Sequence, residues 1–253
     1  ELKNAVSNAK TIFKDNSIIK LYEGILLSRN EKFIEAKNCL KLISFESNEI
    51  NKEIIRVSTL AKCYDRIGNT DKAFNYFKKT NLLTQTTKIK NLDKNKYLQE
   101  IKIRGEFFKK FNIKKWPTLK QPDNEPSPIF LIGFPRSGTT LLDTILRSHP
   151  LIEVIEEKFM VEQLVNSLNQ SSDGKLESIK EIENEQLKKI RKIYFESLES
   201  QIQNKSSAKI YIDKLPLNII HVGEIIRIFP NAKFIVSLRH PCDCVLSCFM
   251  QDF

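Results

Sequence analysis

Pro128-Ile-Phe-Leu-Ile-Gly-Phe-Pro-Arg-Ser-Gly-Thr-Thr140, running on into Leu-Leu-Asp-Thr-Ile-Leu-Arg-Ser-His149, is the stretch that decides how the chain is read. Apolar, β-preferring residues lead into Gly133. A tight loop then carries Pro135, Arg136, Ser137 and Gly138, and a helical pattern starts at Thr139. Strand, glycine-bounded loop and helix in that order make a phosphate cradle, because the N–H groups at the helix start and the helix dipole both favour an anion. The spacing Gly133-x4-Gly138 is that of a P-loop, yet the lysine that should follow Gly138 is missing. Thr139 and Thr140 stand where Lys and Ser/Thr belong. The loop keeps its shape without the residue that serves nucleoside triphosphates, and Arg136 is its one strong cation.

Downstream, strand-like runs alternate with helical patterns. His149-Pro150 ends the first helix, and residues 151–155 read as a short strand closing on Glu156 and Glu157. Helical spacing resumes over 158–168, a loop follows at 171–174, and a long charged helix is expected from about 177 to 203. Residues 208–212 are the next strand, leading into Asp213 and Lys214. A helix over 216–228 gives way at Pro230-Asn231, 233–238 is a further strand, and Arg239-His240-Pro241 opens a last helix with proline in its first turn. This alternation predicts an α/β domain with a parallel sheet of P-loop type and right-handed crossovers. Ligands of such sheets sit beyond the carboxyl ends of the strands. On that rule Arg136, Thr139, Thr140, Glu156, Glu157, Asp213, Lys214 and Arg239 all gather on one rim.

The N-terminal part is different. Leu60, Ala61, Tyr64, Gly68, Ala73 and Phe77 alternate large and small residues at helical spacing, with Gly68-Asn69 as the turn between two helices. Gly24, Leu27, Phe33, Ala36 and Leu40 form a looser earlier copy. Residues 1–80 therefore resemble tetratricopeptide repeats, an all-α helical repeat domain with a concave face suited to peptides. Ala36 and Ala73 lie 37 apart, against a repeat of about 34, which makes the connection at 44–51 slightly long. Residues 81–127 form a basic connecting helix and linker, the proline-rich Gln-Pro-Asp-Asn-Glu-Pro-Ser-Pro of 121–128 marking the boundary. The domain carrying the phosphate loop then runs over 128–253.

Charge follows the same division. Residues 1–120 hold 26 Lys and Arg against 13 Asp and Glu, and the remainder 15 against 18. Aromatic residues do not interleave with the basic ones as a stacking platform requires, so no nucleic-acid partner is expected. Five cysteines, Cys39, Cys63, Cys242, Cys244 and Cys248, lack framework spacing and point to a reducing compartment. Cys242-x-Cys244-x3-Cys248 has neither a paired C-x2-C nor a histidine nearby other than His240, and reads as thiols on a helix; no metal site is expected. No apolar run approaches a membrane span and no signal-peptide pattern opens the chain, so the cytoplasm is the expected compartment. The chain starts without Met and stops inside a helical pattern, as a fragment does. Its oligomeric state is not legible.

What chemistry suits the rim is set by what the strand ends carry. A magnesium-dependent nucleotide hydrolase needs a metal-holding Asp at the end of a neighbouring strand, and the strand over 233–238 ends in Arg239 instead. A nucleotide whose charge is met by side chains fits better. Ser247 lies eight residues past Arg239, on one stripe with His240 and Cys244, so that Arg239 and Ser247 together can hold a phosphate.

These residues resemble the sulfotransferases. Ile-Gly-Phe-Pro-Arg-Ser-Gly-Thr-Thr looks like their 5′-phosphosulfate loop, and Arg239 with Ser247 looks like their 3′-phosphate motif. Asp213-Lys-Leu-Pro-Leu-Asn218 is similar to the bacterial branch with N-terminal tetratricopeptide repeats, itself related to protein-tyrosine sulfotransferases. The resemblance implies a transferase using 3′-phosphoadenosine 5′-phosphosulfate (PAPS) as co-substrate, without a metal. It places Pro135, Arg136, Ser137, Gly138, Thr139 and Thr140 on the 5′-phosphosulfate, and Arg239 and Ser247 on the 3′-phosphate. The family's carboxylate base falls seven residues after His-Pro, on Glu157, and Lys214 meets the bridging oxygen. Ile155 and Glu156 stand where the family often has glycine ahead of the base, so either Glu156 or Glu157 can face the acceptor. His240 and Cys242 replace acidic and basic residues common beside the motif arginine. The acceptor is a hydroxyl, a peptide tyrosine brought by the repeat face or equally a saccharide or small molecule. Two other readings compete: a P-loop small-molecule kinase, and a non-catalytic repeat scaffold.

Overall fold

Apolar residues recurring every three or four positions build helices within the first 88 residues, and among the described residues strands form from Ile129 onward. The computed structural model describes residues 1–13, 16–88, 93, 95–111, 116, 127–202 and 210–251. The proline-rich stretch 121–126, the expected strand start at 208–209 and the last two residues lie outside these. Two compact units result, Glu1–Leu92 with Leu246–Phe253, and Asp93–Val245.

The first unit is all-helical: α1 (Leu2–Ile12), α2 (Ser17–Arg29), α3 (Phe33–Lys41), α4 (Ile50–Arg66) and α5 (Thr70–Lys88). The Asn16 side chain caps α2 by accepting from the Ile18 amide at 2.8 Å. Gly24 lets α2 and α3 approach, because a Cβ there would lie 2.4 Å from the Leu40 side chain. The turn from α4 to α5 is made by Gly68 at φ +81, a conformation that L side chains rarely adopt. Asn69 then caps α5, its side chain accepting from the Lys72 amide at 3.2 Å. The small residues Ala61 and Ala73 are buried among Leu21, Leu40, Tyr64 and Phe77, as the alternation of sizes predicts. Phe249 stacks on Phe74 in the same unit.

The second unit runs α6 (Lys96–Lys110), β1 (Ile129–Gly133), α7 (Thr139–Arg147), β2 (Ile152–Glu156), α8 (Met160–Ser171), α9 (Asn184–Gln201), β3 (Ile210–Lys214), α10 (Val222–Ile228), β4 (Lys233–Ser237) and the start of α11 (Pro241–Phe249). The strands form one parallel sheet in the order β2-β3-β1-β4. This is the mixed α/β architecture that the alternation predicts. Both faces are covered, as a parallel sheet requires. Phe130, Ile132 and Ile155 join a core with residues of α8, α9 and α10. Leu131, Val154 and Ile212, on the opposite face, pack with Leu142 and Leu146 of α7.

Three sequence expectations change. The long helix over 177–203 is broken: a 3-10 turn covers Leu176–Glu181, and Ile182 and Glu183 are extended before α9 begins. The buried Arg227 guanidinium of α10 accounts for the break, donating to the carbonyls of Ile179 (3.1 Å), Lys180 (3.3 Å) and Ile182 (3.0 Å). The helix over 216–228 is likewise split into a 3-10 turn at Pro216–His221 and α10. Finally, β3 continues through Asp213 and Lys214, which lie within the strand and not beyond it.

Candidate active site

The loop after β1 is shaped by two glycines with different duties. At Gly133 a Cβ would meet the Ser237 carbonyl oxygen at 2.7 Å and Ser137 Oγ at 2.8 Å, so the position admits no side chain. Gly138, at φ +100, turns the chain into α7. Between them Arg136 is also left-handed, at φ 69, a conformation that costs a non-glycine residue about 1–2 kcal/mol. The Ser137 amide closes the turn on the Phe134 carbonyl at 3.1 Å, and Leu142 begins the helical ladder by donating to Gly138. The amides of the first turn of α7 thus point out of the helix end, where an anion is welcome. Ser137 and Thr139 are buried, Thr140 is exposed, and Ser137 Oγ has no hydrogen-bond partner within the protein.

The neighbouring strand holds this loop. Ser237, at the end of β4, donates its hydroxyl to the Ser137 carbonyl at 2.9 Å, and Arg239 Nη1 donates to the Arg136 carbonyl at 3.2 Å. Arg239 also faces Asp243 across 3.6 Å. The sequence rule brought Arg136 and Arg239 to one rim, and they do lie together. Ser247 is placed on α11.

On the other side of β1, register pairs Leu131 with Lys214 and Lys214 with Glu156. Lys214 is fully buried, and its ammonium donates to Glu156 Oε1 at 2.8 Å and Glu157 Oε1 at 3.0 Å. Burial alone depresses an ammonium pKa, but these two carboxylates outweigh it and raise that of Lys214. The hydrogen bond from Lys214, with help from Arg147, holds the Glu156 carboxyl below its usual range. Glu157 sits at φ 51, and its amide donates to the Lys214 carbonyl at 2.8 Å.

Asp213 departs from the expected rim. Alternation along β3 turns it to the opposite face from Lys214, where it is 1% exposed and accepts from the Tyr194 hydroxyl at 3.3 Å. Burial pushes its pKa up to about 7. Its second oxygen has no partner.

A sulfotransferase family model matches residues 128–253, which include the loop, the Lys214 cluster and Arg239. Residues 128–253 belong to the sulfotransferase family.

Relatives extend the match. A protein of Aquifex aeolicus (strain VF5), described as uncharacterized, is 31% identical over 201 residues, 77% of this chain and 26% of that protein. Protein-tyrosine sulfotransferase 1 of Rattus norvegicus is 30% identical over 132 residues, 51% of this chain and 35% of the relative. The Homo sapiens protein of the same name is 30% identical over 115 residues, 44% and 30% of the two chains. The chain thus spans between about a quarter and a third of these curated relatives.

Several residues of the sulfotransferase region escaped the sequence reading. Asp143 and Arg147 pair along α7, and Arg147 reaches Glu156 Oε2 at 3.6 Å. Their i,i+4 spacing was the available signal. Ser237 had none, since a serine ending a strand is unremarkable until its partner carbonyl is known. Asn218, which closes the motif Asp213–Asn218 but had no role assigned to it, is buried with an unpartnered Nδ2. Among the described residues no group of His, Cys, Asp and Glu could hold a metal ion, and no helix is long and apolar enough to cross a membrane.

Proposed function

We propose that this chain carries a sulfuryl-transfer site that uses PAPS and a hydroxyl acceptor. The observation that carries the reading is the fully buried Lys214 ammonium, pinned by two carboxylates at a strand end beside the loop. The loop fits the donor's 5′ end: Gly133 lets Ser237 and Ser137 pack close against the end of β1, and Ser137 offers a buried hydroxyl that the protein does not satisfy. In this reading Pro135, Arg136, Ser137, Gly138, Thr139 and Thr140 hold the 5′-phosphosulfate, and Arg239 and Ser247 hold the 3′-phosphate. PAPS supplies an activated sulfuryl group with a phosphate as leaving group.

The protein's own residues do the rest. Glu157, more exposed than Lys214 and hydrogen-bonded to it, accepts the proton of the acceptor hydroxyl as its oxygen bonds to sulfur. An ammonium has three N–H donors. Two of those on Lys214 are engaged by Glu156 and Glu157; in this reading the bound donor brings its bridging oxygen against the third as the sulfur–oxygen bond breaks and charge builds there. Arg136 spreads the charge of the departing phosphate.

The helical hairpins are read as tetratricopeptide-type, which favours a peptide or protein acceptor. None of the five cysteines is in a disulfide, which suits a reducing, cytoplasmic setting. The test is transfer of labelled sulfate from PAPS to a tyrosine peptide, an oligosaccharide and p-nitrophenol. Glu157→Gln, Lys214→Met and Arg136→Ala are expected to lose turnover with the fold intact. Full activity in Arg136→Ala, or tight magnesium-dependent ATP binding in place of PAPS binding, overturns the reading.

A further inference from the structure

Two adjacent carboxylates share one lysine, and what separates them is a second cation. Glu156 uses both of its oxygens: Oε1 accepts from Lys214 at 2.8 Å, and Oε2 faces Arg147 Nη2 at 3.6 Å. Arg147 is in turn anchored one helical turn back on Asp143, which is buried and takes Nε on one oxygen and Nη2 on the other, the latter at 3.3 Å. Among the described residues Glu157 faces no second cation; its carboxylate meets Lys214. A relay therefore runs Asp143–Arg147–Glu156–Lys214–Glu157, with negative and positive charges alternating along it.

We propose that Arg147 is a positioning residue of the sulfuryl-transfer site: anchored on Asp143, it fixes Glu156 as a permanent carboxylate clamp on Lys214 and leaves proton transfer to Glu157. This rests on the function proposed above and decides between the two carboxylates that the sequence left open. A carboxylate held between two cations is a poor proton acceptor, because taking up the proton forfeits both attractions. The same arrangement gives Lys214 one fixed partner that does not change charge during turnover. The Lys214 donor aimed at the reacting oxygen then keeps its direction while Glu157 is protonated and released.

The charged groups around Glu156 are few enough to name. Lys214 of β3 and Arg147 of α7 act on it directly, Asp143 pairs with that arginine, Glu157 shares the lysine, and Glu153 and Lys158 line the cleft beside it. Arg147, Glu153, Glu156, Lys158 and Gln201 of α9 line a small polar cleft of about 230 Å³, which keeps this side of the clamp open to protons from solvent.

The experiment compares wild type with Arg147→Met, Arg147→Lys and Asp143→Asn. With PAPS and a tyrosine peptide, Arg147→Met is expected to lower kcat about tenfold to a hundredfold at little change in donor KM. The acidic limb of its kcat/KM profile moves to higher pH, because Glu156 now protonates more readily. Arg147→Lys restores part of the rate, and Asp143→Asn shifts the profile in the same direction by less. A second reading needs no turnover: the ¹³Cε signal of Lys214, assigned with Lys214→Arg, is followed by NMR through an acid titration without nucleotide. The inflection from Glu156 moves to higher pH in Arg147→Met. An unmoved inflection together with an unmoved acidic limb overturns the positioning role. Glu157→Gln and Lys214→Met inactive beside an unaltered Arg147→Met profile removes this inference alone. Activity that survives in Glu157→Gln and Lys214→Met removes the proposed function, and the lysine titration still decides what Arg147 does to Glu156.

Discussion

Glu157 and Lys214 hold each other twice, the Glu157 amide donating to the Lys214 carbonyl at 2.8 Å and the Lys214 ammonium returning to the Glu157 carboxylate at 3.0 Å. The backbone bond fixes where Glu157 leaves β2, at φ 51, and the side-chain bond fixes where its carboxylate points. Neither alone orients the group.

Lys214→Met removes the cation and leaves two carboxylates facing one another. Turnover with PAPS is expected to fall by about a hundredfold or more. Binding of 3′-phosphoadenosine 5′-phosphate, measured by calorimetry, should stay within a few-fold of wild type, since the loop after β1 is untouched. A parallel loss of nucleotide binding would mean that Lys214 supports the loop rather than the reaction.

The two loop glycines should respond differently to alanine. At Gly133 the added methyl meets the backbone carbonyl of Ser237 at 2.7 Å, which cannot move without parting β1 from β4. Gly133→Ala is expected to destabilise by about 1–3 kcal/mol and to weaken nucleotide binding. Gly138→Ala meets nothing closer than Ser237 Oγ at 3.8 Å but must adopt φ near +100, at a cost of about 1–2 kcal/mol. Urea unfolding beside nucleotide titration separates the two, Gly133→Ala losing more affinity.

Asp213 gives stability a pH dependence of unusual sign. Folded, it keeps its proton up to about pH 7; its ordinary value is 3.8. The folded state thus binds more protons than the unfolded one between these values, and stability declines as pH rises from about 4 to about 7, by at most about 4 kcal/mol. Asp213→Asn, which can still accept from Tyr194, should flatten that slope and be more stable than wild type at pH 8. Chemical denaturation at pH 5, 6, 7 and 8 measures it; a parallel slope in both proteins contradicts the assignment.

Arg227→Leu withdraws the donors that meet three carbonyls around the break before α9. A loss of about 3 kcal/mol or more is expected from the stranded carbonyls. Hydrogen exchange should rise first in residues 176–183. Arg227→Lys, with a single donor group, should recover only part.

The sequence shows the phosphate loop because an apolar run, two glycines and an amphipathic helix coincide within residues 128–149, and each is a local signal. It shows the buried Ala61 and Ala73 for the same reason, since helical spacing is local. The depth of Lys214 is not local: a lysine after Ile-Tyr-Ile-Asp reads as the start of a loop, and only pairing with β1 and β2 makes it a strand residue with no exposed surface. The break at Ile182 depends on an arginine 45 residues away. Asp213 looked like a rim carboxylate until the pleat of β3 put it on the face of Tyr194. Charged residues buried by partners distant in sequence are what pattern reading misses.

Ser237 and Arg239 leave β4 side by side, and each ties down a carbonyl of the loop that leaves β1. Gly133 and Ser237 are register partners in adjacent parallel strands, a separation of about 4.8 Å that the hydrogen-bond ladder sets. The span between Arg136 and Arg239 is therefore a dimension of the sheet, insensitive to side-chain choice. For a donor with anions at two positions, the rim works as a fixed gauge. On the function proposed above, a nucleotide without its 3′-phosphate engages one loop and leaves Arg239 to Asp243, and adenosine 5′-phosphosulfate is expected to bind more weakly than PAPS for a reason set by strand spacing and not by any contact to the base.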